Sequence, residues 1–286
     1  MQEPAKFEVP SDTPLRGDYS GMAPDFTVTQ DWRRYSEAEH ARWRFLYARQ
    51  AALLANHAAP VFRNALSRLN AAEGIPDLAR ISRQLRAATG WELVGVPGLI
   101  PNAVFFDHLA AGRFPVTLWI REAHELDYLV EPDIFHDFFG HVPMLFDPAF
   151  AAYMRAYGKG GIAAERRGTT DRLSRLYWYM VEFGLMCTDE GLRAYGSGIL
   201  SSAAETQYCL TDPRPHRIRF DLERVLRTRY RIDNFQETYF VIESLDELMD
   251  ATEQPFQPIY DRLETLPDIA ATEIVPGDVV VPPAGS

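Results

Sequence analysis

The stretch Glu131-Pro132-Asp133-Ile134-Phe135-His136-Asp137-Phe138-Phe139-Gly140-His141-Val142-Pro143 decides how the chain is read. It sets two histidines five residues apart inside an aromatic run. On a regular α-helix five steps turn about 500°, so the two side chains sit about 140° apart. That suits joint ligation poorly, whereas the i, i+4 pair of HExxH zinc proteases lies within about 40°. A metal held by both His136 and His141 therefore needs the helix to end or loosen between them, and Gly140 supplies that freedom. The bland alternative is a pair of core histidines satisfied by backbone carbonyls. Two of them in an apolar run beside two acids favour ligation over that alternative, though spacing alone leaves it open.

Two histidines and one carboxylate with open positions suit non-haem iron(II), while a third histidine or a cysteine would point to zinc. His40, His57, His108, His124 and His216 form no second cluster in the sequence. Asp133 and Asp137 stand close enough to ligate, but their proximity suits orienting an imidazole. Glu182 lies in Tyr177-Trp-Tyr-Met-Val-Glu-Phe-Gly-Leu-Met-Cys187, apolar or aromatic on nearly every side. A carboxylate buried there is costly unless it is paired or bound to a metal. Glu182 leads as third ligand and Glu205 follows; for either, a salt bridge to an arginine is the competing role. Arg121 ends the apolar run Val116–Arg121, where a guanidinium can present a bidentate fork to a carboxylate. An ordinary surface arginine fits that position equally well.

Working outward, residues 36–72 carry apolar positions at three- and four-residue steps, with Pro60 as a kink or break. A second helix is expected from Asp77 to about Ala88, closed by Gly90. Residues 91–107 are dense in Gly and Pro yet apolar, a loop that packs on something flat. Strands are expected at 116–121 and 235–242, and helices near 133–140, 148–157 (capped by Asp147, with Pro148 first), 171–188, 201–209, 221–229 and 245–252. Residues 1–30 read as a lid or loose arm, 31–269 as one domain, and 270–286 as a weakly ordered tail.

The chain has 286 residues, 47% hydrophobic, with 29 basic and 40 acidic side chains and a net charge of −11. Such a composition is globular, and without a basic block it argues against a nucleic-acid partner. Cys187 and Cys209, both in apolar contexts, fit reduced thiols in a cytoplasm rather than a disulfide framework. No signal-like segment and no apolar run of the roughly 20 residues needed to span a bilayer is visible.

At these residues the chain resembles the pterin-dependent aromatic amino acid hydroxylases, most closely the single-domain bacterial phenylalanine hydroxylases. The resemblance spans roughly residues 40–250. It rests on TGWELVGVPGLI, FPVTLWIR, YLVEPDIFHDFFGHVP, LYWYMVEFGL, AYGSGILSS and TQYCL, in that order. It implies a mainly α fold with a few short β-strands, one compact helical catalytic domain around a non-haem iron cleft. It makes His136, His141 and Glu182 the ligands of iron(II), with a tetrahydropterin such as tetrahydrobiopterin as second cofactor and O2 as co-substrate. Arg121 would pair with the substrate carboxylate, supported by Asp133, with Gly198 and Ser201 at the amino-acid backbone. Pro132, Trp178 and the His136 ring would wall its side chain, and Leu129 stands where animal relatives carry a hydroxyl near the substrate. The loop 98–106 would receive the pterin, with Phe105 stacked on it, Gly98, Leu99 and Ile100 beside it, and Asp137 and Tyr177 close by. Asp137 replaces the glutamate of the animal enzymes and is one methylene shorter.

The implied reaction is hydroxylation of L-phenylalanine to L-tyrosine through an iron(IV)-oxo species. Trp178 and the apolar Ile232 both favour phenylalanine over tryptophan or tyrosine. A hydroxylase of the same family acting on tryptophan or tyrosine, a zinc hydrolase using the same ligands, and a helical binding domain without metal are the alternatives. The regulatory domain and tetramerisation helix of the animal enzymes have no counterpart in these motifs, so a monomer without nucleic-acid or membrane partners is expected.

Overall fold

Helices begin where small polar caps stand. In the computed structural model, which describes residues 15–127, 129–232 and 234–285, the Ser36 hydroxyl accepts from the Glu39 amide while Glu39 accepts from the Ser36 amide. That reciprocal cap opens α1 (Glu37–Leu54), and Pro60 opens α2 (Pro60–Arg68), so the expected break at Pro60 is a true end of helix. Asp77 caps α3 (Leu78–Thr89), which closes on Gly90 at φ 74°.

The apolar Gly/Pro stretch that follows is not one loop. It contains β1 (Glu92–Val96), then α4 (Asn102–Ala110), and leads into β2 (Arg113–Thr117), which lies parallel to β1. The second strand therefore sits several residues before the 116–121 expected. Gly95 survives inside β1 because the Val28 carbonyl oxygen lies 2.7 Å from where a Cβ would stand. Asp147 and Pro148 open α5 (Pro148–Arg167), which continues well past residue 157.

The helix expected at 171–188 is shorter. α6 (Thr170–Leu176) runs into a π-helical segment, Tyr177–Glu182, and the chain then turns into β3 (Leu185–Thr188). The strands β4 (Gly191–Ala194), β5 (His216–Arg219) and β6 (Thr238–Ile242) join β3 in a four-stranded sheet of order β4-β3-β6-β5. α7 (Ser197–Leu200) and α8 (Ala203–Thr211) precede β5, α9 (Leu222–Arg227) follows it, and α10 (Leu245–Glu253) and α11 (Gln257–Leu263) come after β6. The outcome is the mainly helical fold with few strands that the motifs imply.

One contiguous apolar core runs through the domain and grips the motif segment. Phe135 and Phe139 stack at 4.7 Å, and Trp43 meets Phe135 and Phe138 edge-on at 5.4 and 5.7 Å. Phe62 of α2 meets Phe139 edge-on at 6.0 Å. No helix among the described residues is long and apolar enough to cross a membrane.

Residues 1–14 of the expected arm lie outside the described residues; its described part, and the segment after α11, lie against this body by specific side-chain contacts. Arg16 forks onto Glu125 at 2.7 and 2.8 Å, and the Asp25 carbonyl meets His108 Nε2 at 2.9 Å. Beyond α11, Asp268 pairs with Arg172, Arg175 and Arg229. Asp278 pairs with Arg224 at 2.9 Å, with both side chains about 95% buried. Removing one partner of a buried pair strands the other charge. Asp278→Ala should lower the unfolding free energy by about 3 kcal/mol, read from the midpoint of urea denaturation; an unchanged midpoint would show that the tail adds nothing.

Candidate metal centre

The two histidines are brought together by helix geometry. Phe135–His141 is π-helical, its hydrogen bonds spanning five residues instead of four. The wider turn lays residues five apart over one another, and the His136 and His141 rings stand 5.1 Å apart. The helix thus loosens without ending, and Gly140 has a different reason: a Cβ there would lie 2.9 Å from the Ser197 carbonyl oxygen. The segment bearing Glu182 is π-helical too.

Glu182 faces both imidazoles. Its Oε1 lies 3.1 Å from His141 Nε2 and its Oε2 lies 3.5 Å from His136 Nε2. The three donor atoms fall within 4.8 Å of one another, the one His/Cys/Asp/Glu trio so placed among the described residues. Ser197 Oγ donates to Glu182 Oε2 at 2.8 Å. Gly198 sits so near that a Cβ would be 3.3 Å from the same oxygen.

Hydrogen bonds prepare these atoms for a cation. Ser201 Oγ donates to the Ser197 carbonyl at 2.8 Å, so toward His136 Nδ1, 2.9 Å away, it accepts. That places the imidazole proton on Nδ1 and leaves the Nε2 lone pair facing Glu182. Burial lowers the His136 pKa and keeps it neutral, against the opposing pull of Glu182. For Glu182, burial works upward, yet His141 and His136 outweigh it and bring the carboxyl down to about 2. Two imidazoles and a carboxylate are the donor set that a divalent cation of intermediate softness takes.

Glu205, second as a candidate ligand, is not in this group. It is buried elsewhere, accepting from the Tyr239 hydroxyl and, at 3.2 Å, the Gln236 amide. Burial pushes its pKa up to about 7.

Arg121 is no surface residue. Its Nε and Nη2 donate to Asp133 at 2.9 and 2.8 Å in a buried fork, and Asp133 also accepts from the His136 amide at 3.0 Å. Burial opposes ionisation of Asp133, but the Arg121 guanidinium holds the carboxyl below its usual range. One aspartate thus ties the guanidinium to a metal ligand. Pro132 and Leu129 lie half-buried on the loop leading into this segment.

On the other side, rings lead from the 97–105 region to the ligands. Phe105 meets Tyr177 edge-on at 5.6 Å, and Tyr177 lies 6.2 Å from His141. Burial raises the Tyr177 pKa, so its hydroxyl keeps its proton. Asp137 Oδ2 accepts from the Thr117 amide at 2.8 Å, and burial raises its pKa. Leu99 and Ile100 are half-buried, and the Leu99 carbonyl accepts from Tyr19 at 3.0 Å. Gly98 packs on the arm: a Cβ would stand 2.7 Å from the Arg16 carbonyl oxygen.

Trp178 stacks on Tyr230 at 4.5 Å and donates from Nε1 to Gln236 Oε1 at 2.8 Å. Ser197, Tyr230 and Gln236 were not among the residues singled out from the sequence. Ser197 lies within AYGSGILSS and could have been weighed there, whereas nothing local marks Tyr230 or Gln236.

The sequence profile of the biopterin-dependent aromatic amino acid hydroxylases matches residues 18–265. The phenylalanine-4-hydroxylase of Ralstonia nicotianae is 54% identical over 92% of this chain and 85% of its own length. That of Caulobacter vibrioides is 55% identical over 93% and 90%. The crystal structure of Chromobacterium violaceum phenylalanine hydroxylase with bound oxidised Fe(III) superposes with a TM-score of 0.88 at 53% identity, covering 91% of this chain and 94% of that one.

Glu182→Ala and His141→Ala should each abolish stoichiometric iron(II) retention through dialysis, measured by elemental analysis, and full retention by either would contradict the trio. Glu205, with a pKa raised on folding from 4.5 to about 7, binds more protons folded than unfolded between those values. Stability should therefore fall as pH rises from 5 to 8, by at most about 3 kcal/mol from this group, and Glu205→Gln should flatten that slope in thermal unfolding.

Proposed function

Because the chain belongs to the biopterin-dependent aromatic amino acid hydroxylases, we propose that His136, His141 and Glu182 hold its iron(II) and that the residues around them aim L-phenylalanine at it. The enzyme is a phenylalanine 4-monooxygenase that converts L-phenylalanine to L-tyrosine with O2 and a tetrahydropterin. The zinc hydrolase, the metal-free binding domain and the other aromatic substrates gain no support from its relatives. The observation that carries the assignment is the convergence of two imidazoles and one carboxylate beside a buried Arg–Asp fork.

When bound, the iron and the pterin activate dioxygen, with the pterin supplying two electrons. The protein's own part is positioning and the exclusion of water. Ser201 holds the proton of His136 on Nδ1. Asp133 grips Arg121 through Nε and Nη2, turning the remaining N–H groups toward a substrate carboxylate. Trp178 and Pro132 wall the aromatic ring, and Gly198, whose missing side chain would crowd Glu182, leaves room for the amino-acid backbone. A flat heterocycle fits the face that Phe105 offers beside Tyr177, with Leu99 and Ile100 lending backbone groups at its edge and Asp137 behind it.

We also propose that the enzyme works as a cytoplasmic monomer. The support is that Cys187 and Cys209 are free thiols, as a reducing compartment keeps them, and that a single copy of the chain brings His136, His141 and Glu182 together. Light scattering coupled to gel filtration tests the monomer.

Iron-loaded protein should form tyrosine from phenylalanine only with a tetrahydropterin present, and faster than it hydroxylates tryptophan or tyrosine. Arg121→Lys, which keeps the charge but loses the fork, should raise the KM for phenylalanine by about tenfold or more with iron retained. Turnover surviving rigorous iron removal, or an unchanged KM, would contradict these roles.

A further inference from the structure

The Trp178 indole is held by a buried polar chain that runs through Gln236 and Glu205 to Tyr239. Its stack on Tyr230, 15° from parallel, and its contact with Phe183 at 4.8 Å fix the ring plane but still let the indole slide or flip within it. The hydrogen bond from Nε1 to Gln236 Oε1 removes that freedom.

Gln236 is itself fixed. Only 4% exposed, it donates from Nε2 to the carbonyls of Arg231 at 3.1 Å and Asn234 at 3.3 Å. A flipped amide would set its oxygen against those carbonyls and its N–H against the indole N–H, so Oε1 must face Trp178. The Gln236 backbone amide donates to Glu205 Oε1, and Glu205 also receives the Tyr239 hydroxyl. Glu205 stands on α8 and Tyr239 on β6, so two elements that carry none of the three metal-binding side chains grip the residue that grips the indole.

Resting on the reading of Trp178 as a wall of the phenylalanine pocket, we propose that Gln236 is a positioning residue: it locks the indole in the orientation that aims the substrate ring, and Glu205 anchors Gln236. Displacements of about 1 Å at a reacting centre cost up to about a hundredfold in rate. A ring that is badly aimed also lets pterin oxidation run without hydroxylation, its two electrons reducing O2 to hydrogen peroxide. Tyrosine formed per pterin oxidised is therefore the sensitive readout, and a merely structural role would not move it.

The test uses Gln236→Met, which keeps the volume and loses the acceptor, with Trp178→Phe, the double variant, Glu205→Gln and Glu205→Leu. Gln236→Met should lower kcat/KM for phenylalanine by about tenfold, lower tyrosine per pterin, and leave iron content unchanged. In metal-free protein with 15N-labelled tryptophan, the Trp178 indole proton, assigned by its absence in Trp178→Phe, should exchange about tenfold faster in Gln236→Met. The double variant should be no worse than Trp178→Phe, Glu205→Gln should stay coupled, and Glu205→Leu should behave like Gln236→Met. Should Gln236→Met not fold, the Glu205 pair carries the test, with the faster indole exchange then read in Glu205→Leu against Glu205→Gln. Wild-type coupling in Gln236→Met with Trp178→Phe impaired, or additive losses in the double variant, would overturn the proposal. Full activity and coupling in Trp178→Phe would instead overturn the pocket-wall reading, and the inference with it.

Discussion

A carboxylate buried between two imidazoles governs the rest of this structure. Glu182 is taken out of water at a cost that only opposite charge can offset. It stays ionised because His136 and His141 face it and Ser197 donates to it. Two imidazole nitrogens and a carboxylate oxygen converging there are the donor set that a divalent cation takes. The fold supplies the geometry by widening two helices into π turns, one under the histidines and one under Glu182. Each wide turn gives up regular α-helical packing, and the aromatic side chains of Trp43, Phe62, Phe135 and Phe139 hold the first of them in place.

From that centre two environments diverge. On the side of Arg121 the groups are polar and paired, with Asp133 binding the Arg121 guanidinium and the His136 amide at once. Any shift in the guanidinium is thereby felt at a metal ligand. On the side of the 97–105 region the groups are rings, Phe105, Tyr177 and His141 in succession. The charged amino acid and the flat heterocycle of the proposed reaction call for surfaces of these two kinds, and the three donor atoms converge between them.

Much of this was legible in the sequence, and what was legible is chemically local. Ser36, Asp77, Asp147 and Gly90 marked helix ends because capping depends on one side chain or one backbone angle. His136, His141 and Glu182 stood out because charge in an apolar run needs a partner. The π-helices were not legible: five-residue spacing conflicts with an α-helix, but the widening that resolves the conflict comes from packing. β1 was hidden in a Gly/Pro-rich stretch because its partner β2 lies beyond α4, and four-residue strands such as β4 and β5 carry too short a period to read. Gln236 was invisible because its role depends on Trp178 and Glu205, both distant in sequence. Glu205 drew notice as a buried acid, and the structure gives it an anchoring place instead of a ligand's.

The most direct test of the central claim is X-ray absorption at the iron edge of the iron(II)-loaded protein, set beside the Glu182→Gln variant. The account predicts scattering from two imidazoles with the remaining close neighbours all light oxygen donors, and a changed spectrum when Glu182 is replaced. A sulfur neighbour, a third imidazole, or a spectrum indifferent to Glu182 would contradict it.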